Sequence, residues 1–128
     1  MFKSAHEFVS QAKQLIKECS PEEVLKQITA PDVLIVDVRE PDEYRQGHLA
    51  GSVNIPRGML EFKISNEPAL QNVGRAMVLY CKTSGRAALA SVALKNMGFE
   101  NVVSMSGGFD AWVAAGLPVA KPREMSFE

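Results

Sequence analysis

A short segment of this 128-residue chain combines a cysteine with small and basic residues, in the order Cys81-Lys82-Thr83-Ser84-Gly85-Arg86. It lies between an apolar run typical of a buried strand, residues 77–80, and an apolar helix predicted over residues 86–97. Backbone N–H groups in such a turn can point inward. The N-terminus of the following helix adds unpaired N–H groups and the positive end of its dipole. We therefore expect this segment, the Cys81 loop, to bind an anion.

The surroundings of Cys81 favour a reactive cysteine. A helix N-terminus and the basic neighbours Lys82 and Arg86 stabilise the thiolate, which is the nucleophilic form of the side chain. The alternative is a structural cysteine that packs as a small hydrophobic residue at the end of the strand. The composition of the loop favours the reactive interpretation. The second cysteine, Cys19, is interpreted as a core residue on the apolar stripe of the first helix.

The hydrophobic pattern predicts the elements that position this loop. A first helix is expected from Ser4 to Cys19, because Ser4 and Glu7 match a capping box and apolar residues recur at helical spacing. Ser20 and Pro21 begin a second helix, which ends before residue 31. The β-branched run over residues 33–38 predicts a strand that is covered on both faces. Further strands or extended segments are predicted at 52–56, 77–80 and 101–105, and further helices at 42–47, 59–63, 86–97 and 109–115.

Strands that alternate with helices along the whole chain predict an α/β domain, with an open parallel sheet flanked by helices on both faces. Ligands of such sheets bind beyond the carboxyl ends of the strands. Cys81 directly follows the predicted strand at 77–80, so the fold class and the chemistry point to the same place.

Composition excludes several classes of partner. The chain has 14 basic and 15 acidic residues and a formal net charge of −1, without a block of like charges, so no nucleic-acid partner is expected. No apolar run approaches the roughly 20 residues that span a bilayer, so no membrane association is expected either. Two cysteines are too few for a disulfide framework, and the N-terminus has no apolar signal segment. We expect a cytoplasmic protein with both cysteines as thiols.

Several short motifs follow one another between about Ser20 and Pro118. They are Ser20-Pro21-Glu22-Glu23, Val36-Asp37-Val38-Arg39-Glu40, Glu43-Tyr44, Gly47-His48-Leu49-Ala50-Gly51-Ser52, Asn54-Ile55-Pro56, the Cys81 loop, and Gly107-Gly108-Phe109-Asp110-Ala111-Trp112. Together and in this order, they resemble the rhodanese family of sulfurtransferases.

The resemblance implies a rhodanese-like fold, a parallel sheet flanked by helices, and divides the chain into three parts. Residues 1–19 form an N-terminal amphipathic helix extension, residues 20–120 the rhodanese domain, and residues 121–128 a C-terminal tail that is expected to be loose.

The resemblance also implies a single-domain thiosulfate sulfurtransferase in which Cys81 carries sulfur as a persulfide. The donor is thiosulfate or a similar sulfane compound, and the acceptor is cyanide or a thiol. No metal or organic cofactor is expected. The substrate-binding set is the remainder of the loop: Lys82, Thr83, Ser84, Gly85 and Arg86.

Individual charged residues have more than one interpretation. Arg86 either orients the anionic donor or holds the loop by bonding carboxylates and carbonyls. Lys82 either attracts the donor by its charge or is merely solvated. Asp37 and Arg39 follow a strand at the same edge of the sheet, and the resemblance implies that they support the site. His48 is left out of the catalytic set, because a thiolate made by the loop needs no base.

Three rival functions remain open. The first is phosphatase activity, since phosphatases that resemble rhodaneses place one residue more between the cysteine and the arginine, whereas only four residues intervene here. The tighter loop favours a sulfur atom over a phosphate group. Gly85 occupies the fifth loop position, where many relatives carry glycine at the fourth, so donor preference stays open. The second is a relay that takes sulfur from a protein persulfide, and the third is a noncatalytic protein-binding module; such modules commonly lack the cysteine.

Overall fold

The computed structural model describes residues 1–121 and has a five-stranded parallel sheet at its centre. The sheet order is β1-β5-β4-β2-β3, and every neighbouring pair is parallel. The open parallel α/β fold predicted from the sequence is confirmed. The strands are β1 Lys17–Cys19, β2 Leu34–Asp37, β3 Val53–Asn54, β4 Met77–Tyr80 and β5 Val102–Met105.

Helices cover both faces of the sheet. They are α1 Ala5–Leu15, α2 Pro21–Gln27, α3 Pro41–Arg45, α4 Leu60–Asn66, α5 Gly85–Asn96 and α6 Gly108–Ala114, with 3₁₀ turns at Arg57–Met59 and Pro68–Leu70. Of the helices within residues 1–121, none has the length and apolar character needed to cross a membrane.

The central strand β4 divides the core into two halves. Successive side chains of a strand point to opposite faces. Met77 and Leu79 therefore pack with α4 and α5, while Val78 and Tyr80 pack with α2 and α6. All four are buried, as expected for a parallel strand with helices on both sides. Cys81 continues this alternation, so its side chain lies on the same face of the sheet as Met77 and Leu79, the face that α5 covers.

The start of α2 follows the predicted capping pattern. The Ser20 hydroxyl accepts a hydrogen bond from the Glu23 N–H at 3.2 Å and donates one to the Glu23 carboxylate at 3.2 Å, and Pro21 occupies the first turn. These bonds satisfy a donor that a helix N-terminus leaves unpaired.

The prediction of a first helix that continues to Cys19 is wrong. The helix ends at Leu15, Ile16 is extended, and Lys17–Cys19 forms the edge strand β1 beside β5. The backbone groups of β5 on that side would otherwise have no strand partner, and pairing them outweighs the local helical spacing. The sheet therefore begins before residue 20. The division of the chain at residue 20 stays a prediction, and the predicted tail beyond residue 121 lies outside the described residues.

Helix α1 packs on the domain's own core element α5. The Lys95 ammonium of α5 donates a hydrogen bond to the Leu15 carbonyl at 3.0 Å, at the C-terminal end of α1. On the other side of the contact, a Cβ added to Gly85 would lie 3.3 Å from the Val9 side chain. The N-terminal helix thus contacts the beginning of α5, close to the Cys81 loop.

Ser104 on β5 buries a hydroxyl without a partner. Its side chain is fully buried, and no described residue forms a hydrogen bond with Oγ. An unsatisfied buried polar group costs about 1–3 kcal/mol. We expect Ser104→Ala to increase the free energy of unfolding in urea by about 0.5–1.5 kcal/mol.

Ser52 provides the matched control, because its buried hydroxyl donates to the Leu49 carbonyl at 2.7 Å and lies 3.2 Å from the Tyr80 hydroxyl. Ser52→Ala should therefore lower stability. A loss of stability in Ser104→Ala as large as that in Ser52→Ala would show that the Ser104 hydroxyl is satisfied in solution.

Candidate active site

Cys81 lies at the carboxyl edge of the sheet, immediately after β4 and before α5, as the sequence predicted. The residue is only 1% exposed. The Ala87 N–H in the first turn of α5 donates to the Cys81 Sγ at 3.3 Å. No described residue accepts a hydrogen bond from the backbone N–H groups of residues 82–86. The sulfur thus lies at the positive end of α5, in a loop whose other N–H groups have no acceptor among the described residues.

This arrangement suits a negatively charged sulfur. Consecutive unpaired N–H groups make an anion-binding concavity, and the dipole of α5 acts in the same direction. Donors that the fold already holds in place also cost no reorganisation when charge develops on a bound group. The loop can therefore hold a thiolate, a persulfide or a small oxyanion.

Arg86 forms a bidentate ion pair with Glu43 of α3. Its Nη1 donates to Glu43 Oε1 at 2.7 Å and its Nη2 to Oε2 at 3.0 Å. The hydrogen bond to Glu43 is the main reason why the pKa of Arg86 is raised, with a smaller contribution from the charge of Cys81. Of the two roles considered for Arg86, the guanidinium geometry favours holding the loop against α3.

Glu43 is a residue that the sequence did not assign to the site. Its pKa is lowered from an ordinary value of 4.5 to about 2, mainly by the hydrogen bond from Arg86 and further by the Glu40 N–H, against an opposing effect of burial. The available signal was its place in the motif Glu43-Tyr44. The motif gave no indication that its partner lies 43 residues away.

The ion pair makes part of the stability depend on pH. The pKa of Glu43 is lower in the folded chain, so its stabilisation is complete above about 4.5 and is lost as pH falls towards 2. We expect Glu43→Gln to lower the free energy of unfolding by about 1–2 kcal/mol near neutral pH. The difference from the wild type should shrink by about 1 kcal/mol between about pH 6 and about pH 3.5. Urea titrations at the two pH values measure it, and an unchanged difference would contradict the role of Glu43.

Lys82 lies at the exposed rim of the loop and is also paired. Its ammonium contacts the Asp110 carboxylate at 3.0 and 3.2 Å, and the two side chains are 59% and 53% exposed. Lys82 is therefore neither an isolated solvated charge nor a free cation. Thr83 is exposed as well, while Ser84 and Gly85 are half-buried.

Asp37 and Arg39 form a buried ion pair beside the loop. Arg39 Nε donates to both Asp37 oxygens at 3.0 Å, and Nη2 donates to Oδ2 at 2.6 Å and to the Gly47 carbonyl at 2.8 Å. Burial acts to lower the pKa of Arg39, but the hydrogen bond and charge of Asp37 outweigh it and hold the pKa above its usual value. The guanidinium also lies 4.3 Å from the centre of the Phe109 ring. The pair thus joins the end of β2 to α6.

The start of α6 braces the loop from the other side. Phe109 N–H donates to the Cys81 carbonyl at 2.8 Å, and Asp110 N–H donates to the Lys82 carbonyl at 3.0 Å. Gly108 has φ +60, and a Cβ there would collide with the Thr83 carbonyl and lie 2.5 Å from the Cys81 carbonyl. The sequence indicated only a turn at Gly107-Gly108, so this close approach was missed.

Two other residues of potentially reactive types, His48 and Cys19, have surroundings that suit structural roles. The His48 ring stacks on Tyr44 at 3.7 Å, with Nδ1 2.8 Å from the Tyr44 carbonyl, which suits a structural residue. Cys19 packs in the core from β1, and burial, with the charges of Glu23 and Glu18, raises its pKa to about 11. Cys19 is therefore a poor nucleophile at neutral pH.

A shallow depression of about 260 Å³ lies beside the loop. It is lined by Arg39, Glu43, Gln46, Lys82, Phe109 and Asp110. Within residues 1–121, no group of three or more His, Cys, Asp or Glu side chains is placed to hold a metal ion. The polar groups available to a small substrate are thus the loop backbone and the charged side chains of the depression. We call these charged side chains the rim: Arg39, Glu43, Lys82 and Asp110.

The parallel sheet and the cysteine loop agree with the comparisons with known proteins. The sequence profile of the Rhodanese-like domain matches residues 20–115. The chain belongs to the rhodanese-like domain family, which includes proteins named as sulfurtransferases. The thiosulfate sulfurtransferase GlpE of Pseudoalteromonas translucida is 35% identical over 104 residues, which are 77% of this chain and 90% of that protein.

Two solved structures resemble the whole fold. The polysulfide-sulfur transferase homodimer of Wolinella succinogenes is 31% identical, with a TM-score of 0.75 over 94% of this chain and 88% of that one. A protein of unknown function from Rhodopseudomonas palustris, described as a possible tyrosine phosphatase, is 33% identical, with a TM-score of 0.85 over 94% of this chain and 96% of its own. The coverage extends to most of the N-terminal region that the family profile leaves out.

Proposed function

We propose that this protein is a sulfurtransferase that carries a sulfane sulfur on Cys81 as a persulfide. The observation that supports this function most strongly is the environment of Sγ: the Ala87 N–H lies 3.3 Å away, and the N–H groups of residues 82–86 have no acceptor among the described residues. Thiolate and persulfide are both anionic, so the same donors stabilise Cys81 before and after it takes up sulfur.

The first half-reaction takes up sulfur from thiosulfate. The Cys81 thiolate attacks the outer sulfur, a new S–S bond forms, and the S–S bond within thiosulfate breaks. The electron pair of the broken bond leaves with sulfite. Cys81 now bears one additional sulfur and a single negative charge, which the loop N–H groups hold.

The second half-reaction returns the enzyme to its starting state. Cyanide or a thiolate attacks the outer persulfide sulfur and forms a C–S or S–S bond, and the bond to Cys81 breaks. The electron pair returns to the Cys81 thiolate, and the product is thiocyanate or a small-molecule persulfide. Each half-reaction uses the same cysteine in turn, so neither requires a metal or an organic cofactor.

The other site residues position the loop and its ligand. We propose that Lys82, Thr83, Ser84 and Gly85 bind the donor through their backbone N–H groups, while Arg86 fixes the loop to α3 through Glu43. Asp37 and Arg39 support the edge of the site from β2. Cys81 must remain a thiol between turnovers, so we propose a reducing compartment, the cytoplasm, as its location.

Two relatives suggest further donors or reactions to test. The Wolinella protein is named a polysulfide-sulfur transferase, so polysulfide is a second candidate donor. The Rhodopseudomonas protein is described as a possible tyrosine phosphatase, so phosphate-ester hydrolysis is the rival activity. The loop here has only four residues between Cys81 and Arg86, which favours transfer of a sulfur atom. A protein persulfide as donor, or a purely binding role, would leave thiosulfate unused.

Initial-rate kinetics distinguish these possibilities. With thiosulfate and cyanide varied together, a persulfide intermediate predicts parallel double-reciprocal lines and release of sulfite before cyanide is added. A phosphate ester offered to the same preparation should not be hydrolysed. Phosphate release without thiocyanate formation would overturn the proposal in favour of a phosphatase.

A further inference from the structure

Among residues 1–121, the cations around the candidate site are all paired with carboxylates. Arg86 pairs with Glu43, Lys82 with Asp110, and Arg39 with Asp37. Among the described residues that line the depression beside the loop, none contributes an unpaired positive charge. The basic residues that the sequence placed around Cys81 are therefore largely neutralised by their partners.

This neutralisation matters for the uptake of a small anionic donor. Backbone N–H groups act at short range once the donor is in the loop. Attraction over longer distances depends on the net charge of the rim. Thiosulfate carries two negative charges, so a carboxylate at the rim repels it twice as strongly as it repels a monoanion at the same position. Removal of one rim carboxylate would therefore change the uptake of a dianion more than that of a monoanion.

Asp110 is the rim carboxylate whose removal leaves the loop's support intact. Its backbone N–H donates to the Lys82 carbonyl at 3.0 Å, and this bond does not require the side-chain charge. Its carboxylate is 53% exposed and contacts only the exposed end of Lys82 among the ion pairs of the described residues. Glu43, in contrast, is committed to the bidentate bond that holds Arg86.

We propose that Asp110 is a specificity-determining residue, which disfavours dianionic sulfur donors relative to donors of lower charge. It acts by neutralising Lys82 and by repelling negative charge at the entrance to the Cys81 loop. This inference rests on the proposed sulfurtransferase function and concerns only the choice of donor.

The test compares two donors that share the same reacting group but differ in charge, thiosulfate and methanethiosulfonate, with cyanide as the acceptor. In a ping-pong reaction, kcat/KM for the donor reports the first half-reaction alone. At low ionic strength, Asp110→Asn should raise kcat/KM about three- to five-fold for thiosulfate and about two-fold for methanethiosulfonate. The gain should appear mainly in KM. It should largely disappear near 1 M salt, where the screening length is about 3 Å.

Two variants complete the design. Lys82→Gln should change the donor ratio in the opposite direction, because it removes the positive member of the pair. Glu67→Gln removes a similarly exposed carboxylate from the Lys63 pair and should leave the ratio unchanged. If Asp110→Asn changed kcat/KM by the same factor for both donors, or changed neither value, the inference alone would be overturned. If the wild type turned over neither donor, the proposed function would fail with it.

Discussion

Replacing Cys81 with serine abolishes sulfur transfer if the sulfur is carried on this residue. A serine hydroxyl is not ionised at neutral pH, and no persulfide can form on oxygen. We expect kcat/KM for thiosulfate to fall by at least about a thousandfold in Cys81→Ser. The hydroxyl occupies nearly the same place and can accept the Ala87 N–H that now reaches Sγ at 3.3 Å. Circular dichroism should therefore be unchanged, so that lost activity cannot be assigned to unfolding.

Cys19 offers a matched control for this prediction. It is the second buried cysteine, it lies in β1 within the core, and its pKa is raised to about 11 by burial and by the neighbouring charges of Glu23 and Glu18. Cys19→Ala should retain sulfur transfer within about two-fold, although removal of buried volume will lower stability. Thiocyanate formation measures both variants. Full activity in Cys81→Ser, together with loss of activity in Cys19→Ala, would show that Cys19 and not Cys81 is the nucleophile.

Gly108→Ala should lower both the stability of the fold and the rate of sulfur transfer. A methyl group there would collide with the Thr83 carbonyl and lie 2.5 Å from the Cys81 carbonyl, at φ +60, which L side chains adopt only at a cost. Relief requires the Cys81 loop and the start of α6 to separate, which breaks the bonds that Phe109 and Asp110 make to the loop carbonyls. We expect a loss of about 2–4 kcal/mol in the free energy of unfolding and a loss of sulfur transfer of at least about tenfold.

Gly116 provides a control for Gly108, because it has a positive φ without the close contacts. It also has a positive φ, +73, but a Cβ there would meet nothing within 4 Å. Gly116→Ala should therefore cost about 1 kcal/mol and leave sulfur transfer unchanged. Urea unfolding and thiocyanate assays compare the two variants. Equal losses of stability, with full activity in both, would show that close packing of α6 on the loop is not needed for the reaction.

The sequence was sufficient to locate the Cys81 loop in the fold. Apolar residues at 77–80 and the helix that follows predicted where Cys81 lies, because an all-apolar strand in an α/β pattern is buried and ends at the ligand-binding edge. The structure places Cys81 there, after β4 and before α5. Local patterns predict such features well, because the signal and the feature occupy the same stretch of chain.

The features that the sequence did not predict depend on residues that are distant along the chain. The helical spacing before Cys19 was real, but pairing with β5, more than 80 residues later, made residues 17–19 a strand. Arg86 pairs with Glu43 and Lys82 with Asp110, and the members of these pairs are 43 and 28 residues apart. Counting charges near Cys81 therefore overstated the positive field of the loop, since the partners that neutralise it come from α3 and α6.

The most direct test of a Cys81 persulfide is the intact mass of the protein after incubation with thiosulfate. We predict that the wild type gains the mass of one sulfur atom and that peptide mapping places it on Cys81. Addition of cyanide should remove it with formation of one equivalent of thiocyanate, and Cys81→Ser should gain nothing. A wild type that turns over thiosulfate and cyanide without this mass, or that carries it equally in Cys81→Ser, would contradict a persulfide on Cys81.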